Sequence, residues 1–498
     1  ATGQDIACVH ESSIGYLHIV PADDGVYASL LLPSLIVGTV GGGTGLPRQN
    51  EFLQMLDCAG PGKMGRLAEI IAGYCLALDL STLSAIAGGQ FAAAHEKLGR
   101  NRPVAWFQRE DLSARFFTQQ LRGRLADPEL TVTAARLQTD VTLGSSILTE
   151  LTARKVQKLV GLFPFRLAVK PGRGMDHHVD VLVKAKPLDD EVILMINSMA
   201  ANCGPRLAAA HNRHKERTGF KGCHARELAI YRQTDPRFTR HVPRVYGLHE
   251  EPEREAWVLV LERLQGVHLL DTADDVSGWD RPAIEAALRG IAQVHAIWYG
   301  REEELQQQPW LGQVMTAETM LELRDLWEGL GVHAREEFPE WFDKEQLATQ
   351  RRLAGSLGEW WQRAEQLPRT LIHNDFNPRN ICLRPTEQGP ILCAYDWELA
   401  TLGLPQHDVC ELLCFVLGPD TTRADLEHYI EVHRAELEAA SGIPVPVAVA
   451  HEGWWLSLKD LAMNRLGMYV MAHTFRHYGF MERVIATTRR FFELGGPR

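Results

Sequence analysis

No two of the nine cysteines stand in a CxxC spacing, and an odd total gives no disulfide framework. Scattered cysteines of this kind read as reduced, buried thiols of a cytosolic protein. Cys410 and Cys414 lie four apart in a helical pattern, but no His or Cys cluster stands beside them to make a metal site. No run of Lys and Arg stands out, and the formal net charge is -11. That argues against nucleic acid as the main partner. No signal peptide, internal repeat or low-complexity tract is visible. The most apolar stretch, Leu67 to Ala94, is interrupted by Glu69, Asp79 and Gln90. A buried or interface helix pair is expected there, not a membrane span. The expected location is the cytoplasm.

What remains is ordinary globular material: 498 residues, 45% hydrophobic and 23% charged, enough for roughly two to four domains at about 150 residues each. The sequence opens ATGQD, with no Met and no helix or strand start. Position 1 therefore reads as a cut inside a domain. Two strand-like runs, Tyr16 to Val20 and Tyr27 to Leu32, flank the turn signal Asp23-Asp24-Gly25. A glycine loop follows at Gly38 to Gly45, then helical patterns to about Leu98. Between 103 and 140, arginines such as Arg109, Arg115, Arg122, Arg124 and Arg136 and the Asp127-Pro128 pair suggest a partly helical linker.

From about Val141 the pattern changes. Val156 to Val169, Val179 to Lys184 and Val258 to Leu261 read as strands, and His224 to Gln233 as a helix. From Pro282 onward the chain is mostly helical, with short strands at Leu371 to Leu383 and Ile391 to Trp397. The expectation is α+β class: a small lobe over 141–265 and a helical lobe over 266–498.

The strongest chemical signal is HNDFNPRN, His373 to Asn380, followed by YDWE, Tyr395 to Glu398. Phosphoryl transfer needs a carboxylate for the hydroxyl proton, an amide and a second carboxylate for Mg²⁺, and a lysine for the nucleotide. An Asp and an Asn five apart on one loop, with another Asp 16 residues on, supply the first two. The segment resembles the aminoglycoside phosphotransferase and choline kinase superfamily, over roughly 141–498, and the resemblance implies a bilobal protein-kinase-like fold. It implies Asp375 as catalytic base, Asn380 and Asp396 as Mg²⁺ ligands, and ATP as donor to a small hydroxyl compound. Glu398 would assist the metal, and His373 and His295 would be structural.

Upstream, Lys184 ends VDVLVK and is the candidate phosphate-anchoring lysine, with Lys170 as runner-up. Glu227 in CHARELAIY is placed to pair with it. VLVLERLQG, Val258 to Gly266, resembles the hinge that contacts adenine and makes Glu262 a candidate contact. The glycine-rich loop is poor: KLVGLFPFRLAV has only Gly161.

The first hundred residues resemble the C-terminal part of hydroxymethylglutaryl-CoA (HMG-CoA) reductase. Three segments carry this: TGQDIACVHESS (Thr2 to Ser13), LPSLIVGTVGGGTGLPRQ (Leu32 to Gln49), and Leu67 to Arg102. The resemblance implies a partial catalytic domain over 1–102 that reduces HMG-CoA to mevalonate and CoA with NADPH. Asp5 would be the catalytic aspartate, and His95 would protonate the departing CoA thiolate. Gly38, Thr39, Gly41, Gly42, Gly43 and Thr44 would form the nucleotide loop, by close backbone approach more than by side chains. Arg102, beside Asn101, would meet a phosphate. The family's catalytic glutamate, lysine and main dinucleotide motif lie upstream of GQD and do not occur here. The expectation is a fragment of a bifunctional parent that forms a homo-oligomer through the reductase part. The competing class is non-enzymatic: a dimerising reductase remnant carrying a nucleotide-binding pseudokinase. Mevalonate, an isoprenoid alcohol, an amino alcohol and an aminoglycoside all stay open as kinase substrates. Glu302, Glu303 and Glu304 could face a cationic one.

Overall fold

The computed structural model describes residues 2–88, 91, 104–138 and 158–495. They form two compact units, divided after Val104. His95, Asn101 and Arg102 lie outside the described residues.

In the first unit, Asp5 caps helix α1 (Ile6–Glu11): its Oδ1 accepts from the Ala7 N–H at 2.8 Å. An N-cap carboxylate satisfies a backbone donor that the helix cannot. Strands β1 (Tyr16–Ala22) and β2 (Gly25–Leu31) form an antiparallel hairpin in which Ala22 faces Gly25 across Asp23-Asp24. Helix α2 (Pro47–Met55) begins on a proline, which has no N–H to leave unpaired. Helix α3 (Met64–Ala87) then runs unbroken for 24 residues. The expected helix pair is thus one continuous helix as far as Ala87. Among the described residues, α3 alone is long and apolar enough to cross a membrane by length and composition. The core of this unit is small, being Leu53, Cys58 and Leu67 with partly buried neighbours such as Val37 and Ile70. Ile6, Val9, Tyr74, Leu78 and Ile86 are exposed.

The second unit begins with helix α4 (Ala114–Leu125), capped by Ser113, whose hydroxyl accepts from the Phe116 N–H. Next comes β3 (Thr131–Leu137). Strands β4 (Gly161–Lys170) and β5 (His177–Ala185) continue the sheet. It is completed by β6 (Val245–Glu251) and β7 (Ala256–Glu262), in the antiparallel order β3-β4-β5-β7-β6. Alternate residues point inward, as a strand's two-residue period demands. Phe165, Leu167, Val181, Val183, Val258 and Val260 close over Phe116, Phe117 and Leu121 of α4. The linker reading of 103–140 is therefore corrected. Its described part contributes a helix and an edge strand to the sheet. The exposed arginines Arg115, Arg122 and Arg124 are the outer face of an amphipathic helix whose inner face is aromatic and aliphatic.

Between β5 and helix α7 (Cys223–Ile230) the chain inserts a helical hairpin, α5 (Asp189–Asn202) and α6 (Pro205–His214). It does not pack on the sheet. Val192, Met195, Met199 and Leu207 join Met320, Trp327, Leu330 and Met471 in a core shared with the helical lobe. That lobe is built around α8 (Arg281–His295), capped by Asp280, whose buried face includes Ile284, Leu288 and Ile291. Four short strands sit at its top: β8 (Thr370–Ile372), β9 (Ile381–Arg384), β10 (Ile391–Ala394) and β11 (Thr401–Gly403). β9 pairs with β10 and β8 with β11. These two ribbons present the β8–β9 loop, with Asp375 and Asn380, beside the turn after β10, with Asp396. Behind them lie α9 (Gln406–Val416), wholly buried, and the partly buried α10 (Leu466–His473), the latter entered through a π-helical turn at Leu461–Arg465.

Candidate active site

Lys184 is the penultimate residue of β5, and Lys186 follows two positions later on the same face. Both are buried. Lys184 Nζ donates to both oxygens of Glu227 at 3.0 and 2.8 Å, and to Asp396 Oδ1 at 2.6 Å. Lys186 Nζ donates to Glu227 Oε2 at 2.6 Å and to Glu398. The structure thus gathers two ammonium groups and three carboxylates below the sheet. Burial opposes the charge on Lys184, but Asp396 and Glu227 outweigh it and raise its pKa. Burial likewise pushes against the ionised form of Asp396, yet Lys184 and Lys186 hold its carboxyl down at about 2. Glu398 is the unfavoured member: burial, then the charge of Asp396, raises its pKa.

Carboxylate oxygens of Glu227, Asp396 and Glu398 lie within 4.8 Å of one another. One carboxylate in three is uncompensated by the two lysines. This is a hard-oxygen donor set of the kind Mg²⁺ takes, so the residues present fit that ion. Lys170, the runner-up lysine, ends β4 paired with Thr131 at the exposed far side of the sheet.

On the β8–β9 loop, Asn380 Nδ2 donates to Asp375 Oδ2 at 2.7 Å and to the Asp375 carbonyl at 2.9 Å. The amide oxygen of Asn380 is thereby left facing away from Asp375 and available to a cation. The backbone ties the two loops together, since Tyr395 N–H donates to the Asn380 carbonyl at 2.9 Å. Asn374 and Asp396 both hold left-handed backbones, with φ of 60° and 67°. Non-glycine residues are kept there only where the surroundings over-determine them, as at functional loops.

The determinant for the first loop is Asp408 on α9. Its carboxylate accepts from His373 N–H at 2.7 Å, Asn374 N–H at 2.9 Å and His295 Nε2 at 2.9 Å. Burial would raise its pKa, but the His295 hydrogen bond and nearby histidine charge hold it at about 2. His373 and His295 therefore act as loop supports, His373 through the Tyr395 carbonyl at 2.9 Å.

Asp375 has further partners that no sequence motif marked. The Tyr469 hydroxyl, with one proton to donate, lies within hydrogen-bond distance of both Asp375 Oδ1 and Glu411 Oε1, the latter at 2.8 Å. Arg465 Nη2 stands 3.2 Å from Asp375 Oδ1 and also reaches the Asn374 carbonyl. Glu411 is wholly buried, and burial and the charge of Asp375 raise its pKa. Arg465 and Tyr469 are four apart on one helix face, just at the π-helical turn, a feature often found at functional sites.

Glu262 does not reach this site with its side chain. Both its oxygens bind Arg384, at 2.8 and 2.7 Å, and it accepts from Arg244 N–H. Two of the three adjacent glutamates are also used elsewhere: Glu302 pairs with Arg369 and Glu304 with Arg301.

In the first unit, Gln4 clamps the glycine loop to the Asp5 segment. Its amide donates to the Gly38 carbonyl at 2.8 Å and accepts from Gly38 N–H at 2.7 Å. A Cβ on Gly43 would lie 2.6 Å from the Gly3 carbonyl oxygen, so the two backbones touch and only glycine fits. Gly41 and Gly42 hold positive φ. The Thr39 hydroxyl donates to the Gly60 carbonyl and the Thr44 hydroxyl to the Gly41 carbonyl. Both threonines thus shape the loop from within, while Asp5 stays exposed.

Residues 1–100 match the family described as hydroxymethylglutaryl-coenzyme A reductase, and residues 213–443 the phosphotransferase enzyme family. The HMG-CoA reductase of Aeropyrum pernix is 56% identical over 105 residues, and that of Methanocaldococcus jannaschii 47% over 100. Each alignment covers 20% of this chain, so the chain spans about a quarter, 25%, of these relatives. Among solved structures, an aminoglycoside-3'-phosphotransferase of type VIII aligns over 65% of this chain and 93% of its own, at 14% identity and a TM-score of 0.33. A microcompartment-associated aminopropanol kinase aligns over 73% and 94%, at 14% identity and a TM-score of 0.36. Similarity to the hydroxymethylglutaryl-coenzyme A reductase family thus covers residues 1–100, and similarity to the phosphotransferase enzyme family covers residues 213–443.

Proposed function

We propose that the second unit transfers the γ-phosphoryl group of ATP to the hydroxyl of a small molecule. The observation that carries this is the convergence of Lys184, Glu227, Asp375, Asn380 and Asp396 from four separate segments. Asp375 orients the acceptor hydroxyl and takes its proton as the oxygen attacks. Glu227 aims Lys184, which exchanges Asp396 for a phosphate oxygen when nucleotide enters. Asn380 and Asp396, with Glu398 nearby, would hold Mg²⁺, which when bound neutralises charge on the phosphates. The test is nucleotide affinity by calorimetry. Lys184→Met should weaken MgATP binding at least about tenfold, or 1.4 kcal/mol, with the fold intact by circular dichroism. Unchanged affinity would remove Lys184 from the phosphate site and the reading with it.

For the first unit we propose a share in the NADPH-dependent reduction of HMG-CoA to mevalonate and CoA. What supports it is the matched family together with the Gln4 clamp, which sets the glycine loop beside the Asp5 turn. The exposed apolar residues around the three-residue core suit assembly with further polypeptide, including a second copy. Purified alone, the chain should oxidise no NADPH with HMG-CoA in a spectrophotometric assay. Mevalonate formation by the chain by itself would show that residues 2–104 hold a complete site.

A further inference from the structure

Beside Asp375 opens a pocket whose envelope, mouth included, is about 790 Å³. The inserted hairpin forms one wall with Met195 and Met199 of α5, and α10 forms the other with Met468 and Met471. Phe415 and Phe480 belong to the apolar lining. The polar lining comes from the catalytic loop and from Glu398, Arg465 and Tyr469. Ligand pockets are ordinarily apolar with a few convergent polar groups. Here four methionines stand among the apolar lining residues, side chains that adapt to irregular hydrocarbon shapes.

We infer that the acceptor is an uncharged alcohol with a hydrocarbon body, which fills the methionine-lined pocket and presents its hydroxyl to Asp375. This rests on the phosphotransfer reading above and names its substrate class. A polycation or a quaternary ammonium would need carboxylates along the walls. The carboxylates lining the pocket are Asp375 and Glu398, and both already have cationic partners, Arg465 and Lys186. An anionic alcohol would need a cation directed at its carboxylate. Arg465 is held by Asp375 and the Asn374 carbonyl, and Arg379 stacks over Tyr478 at 5.6 Å. Burying either charge against methionine without a partner is costly. In the transfer, the alcohol oxygen forms a bond to the γ-phosphorus as the bond from that phosphorus to the β,γ-bridging oxygen breaks. ADP leaves, and the hydroxyl proton passes to Asp375 and on to water.

The full chain with MgATP is offered geraniol, octan-1-ol, choline, kanamycin and mevalonate, and products are read by mass spectrometry. Geraniol or octan-1-ol should exceed the three charged compounds in kcat/KM by at least about 100-fold. Preference for any of the three overturns the inference. Geraniol binding is measured separately, by tryptophan fluorescence. Met199→Glu and the pocket-filling Met468→Trp, each checked for folding by circular dichroism, should weaken it at least about tenfold. If neither does, the pocket is not the seat and the inference falls. If no compound is phosphorylated while geraniol binding still depends on Met199 and Met468, the phosphotransfer reading itself is what fails, and the acceptor assignment falls with it.

Discussion

Asp375→Asn should lower kcat for phosphotransfer by about a thousandfold, within the range of about 10² to 10⁴ that a positioned general base supplies. The substitution is close to isosteric. An asparagine Oδ1 can still accept from Tyr469, and the side chain can still occupy the slot between Asn380 and Arg465. What is lost is the negative charge that accepts the hydroxyl proton. KM for MgATP should change little, because Asp375 does not touch Lys184, Glu227 or Asp396. Asp408 still holds the loop through His373 and Asn374, but the variant loses the bond from Asn380 and the charge facing Arg465, so its melting midpoint should fall below the parent's. The measurement is steady-state ADP release paired with product formation, alongside a thermal melt. Turnover within about tenfold of the parent would take Asp375 out of the base role. A protein that binds MgATP normally yet transfers phosphate no better than Asp375→Asn would be the pseudokinase alternative.

The polar half of this site was legible in the sequence because its residues sit on two short loops with fixed spacing. Asp375, Asn380 and Asp396 fall on turns between strands, where backbone geometry, not packing, sets what can follow. Lys184 and Glu227 could be named because one ends an apolar strand and the other opens a helical pattern. Lys186 escaped notice although it shares the face of Lys184 by the two-residue period of a strand. The reason is that Ala185 ends the apolar run, and a lysine beyond a strand end ordinarily reaches solvent.

Asp408, Glu411, Arg465 and Tyr469 carried no motif at all. They meet the loop around Asp375 only through tertiary packing of α9, the π-helical turn and α10, some 33 to 94 positions away along the chain. The hairpin α5–α6 was equally hidden: its methionines belong to the core shared with the helical lobe, except where that cluster leaves a pocket. Glu262 shows a complementary effect of tertiary packing. A glutamate at the end of an apolar strand has the look of a hinge contact, but Arg384, on a strand of the other lobe, takes both its oxygens. The linker was misread because arginine count hid the spacing of Phe116, Phe117 and Leu121.

Lys186→Met should destabilise the second unit by about 3 kcal/mol or more, the cost of stripping one partner from a buried ion pair. Lys186 is 1% exposed, and its ammonium bridges Glu227 and Glu398. Methionine fills much of the same volume, so the loss is electrostatic, not a cavity. Without Lys186 the cluster holds three carboxylates against Lys184 alone. Glu398, whose pKa burial and Asp396 already raise, would then take up a proton in the fold. The sign follows from linkage. A carboxyl whose folded pKa lies above its unfolded value binds its proton more tightly in the folded state. The penalty is full above the folded pKa and disappears as pH falls below the unfolded one, near 4.3. The denaturation midpoint of Lys186→Met, followed by tryptophan fluorescence, should therefore recover towards the parent's between about pH 8 and pH 5. Lys186→Met combined with Glu398→Gln should regain most of the loss at pH 8, because the uncompensated charge is then gone. A single variant within about 1 kcal/mol of the parent at pH 8 would mean that water reaches this cluster and that Lys186 is not the counter-ion its geometry makes it.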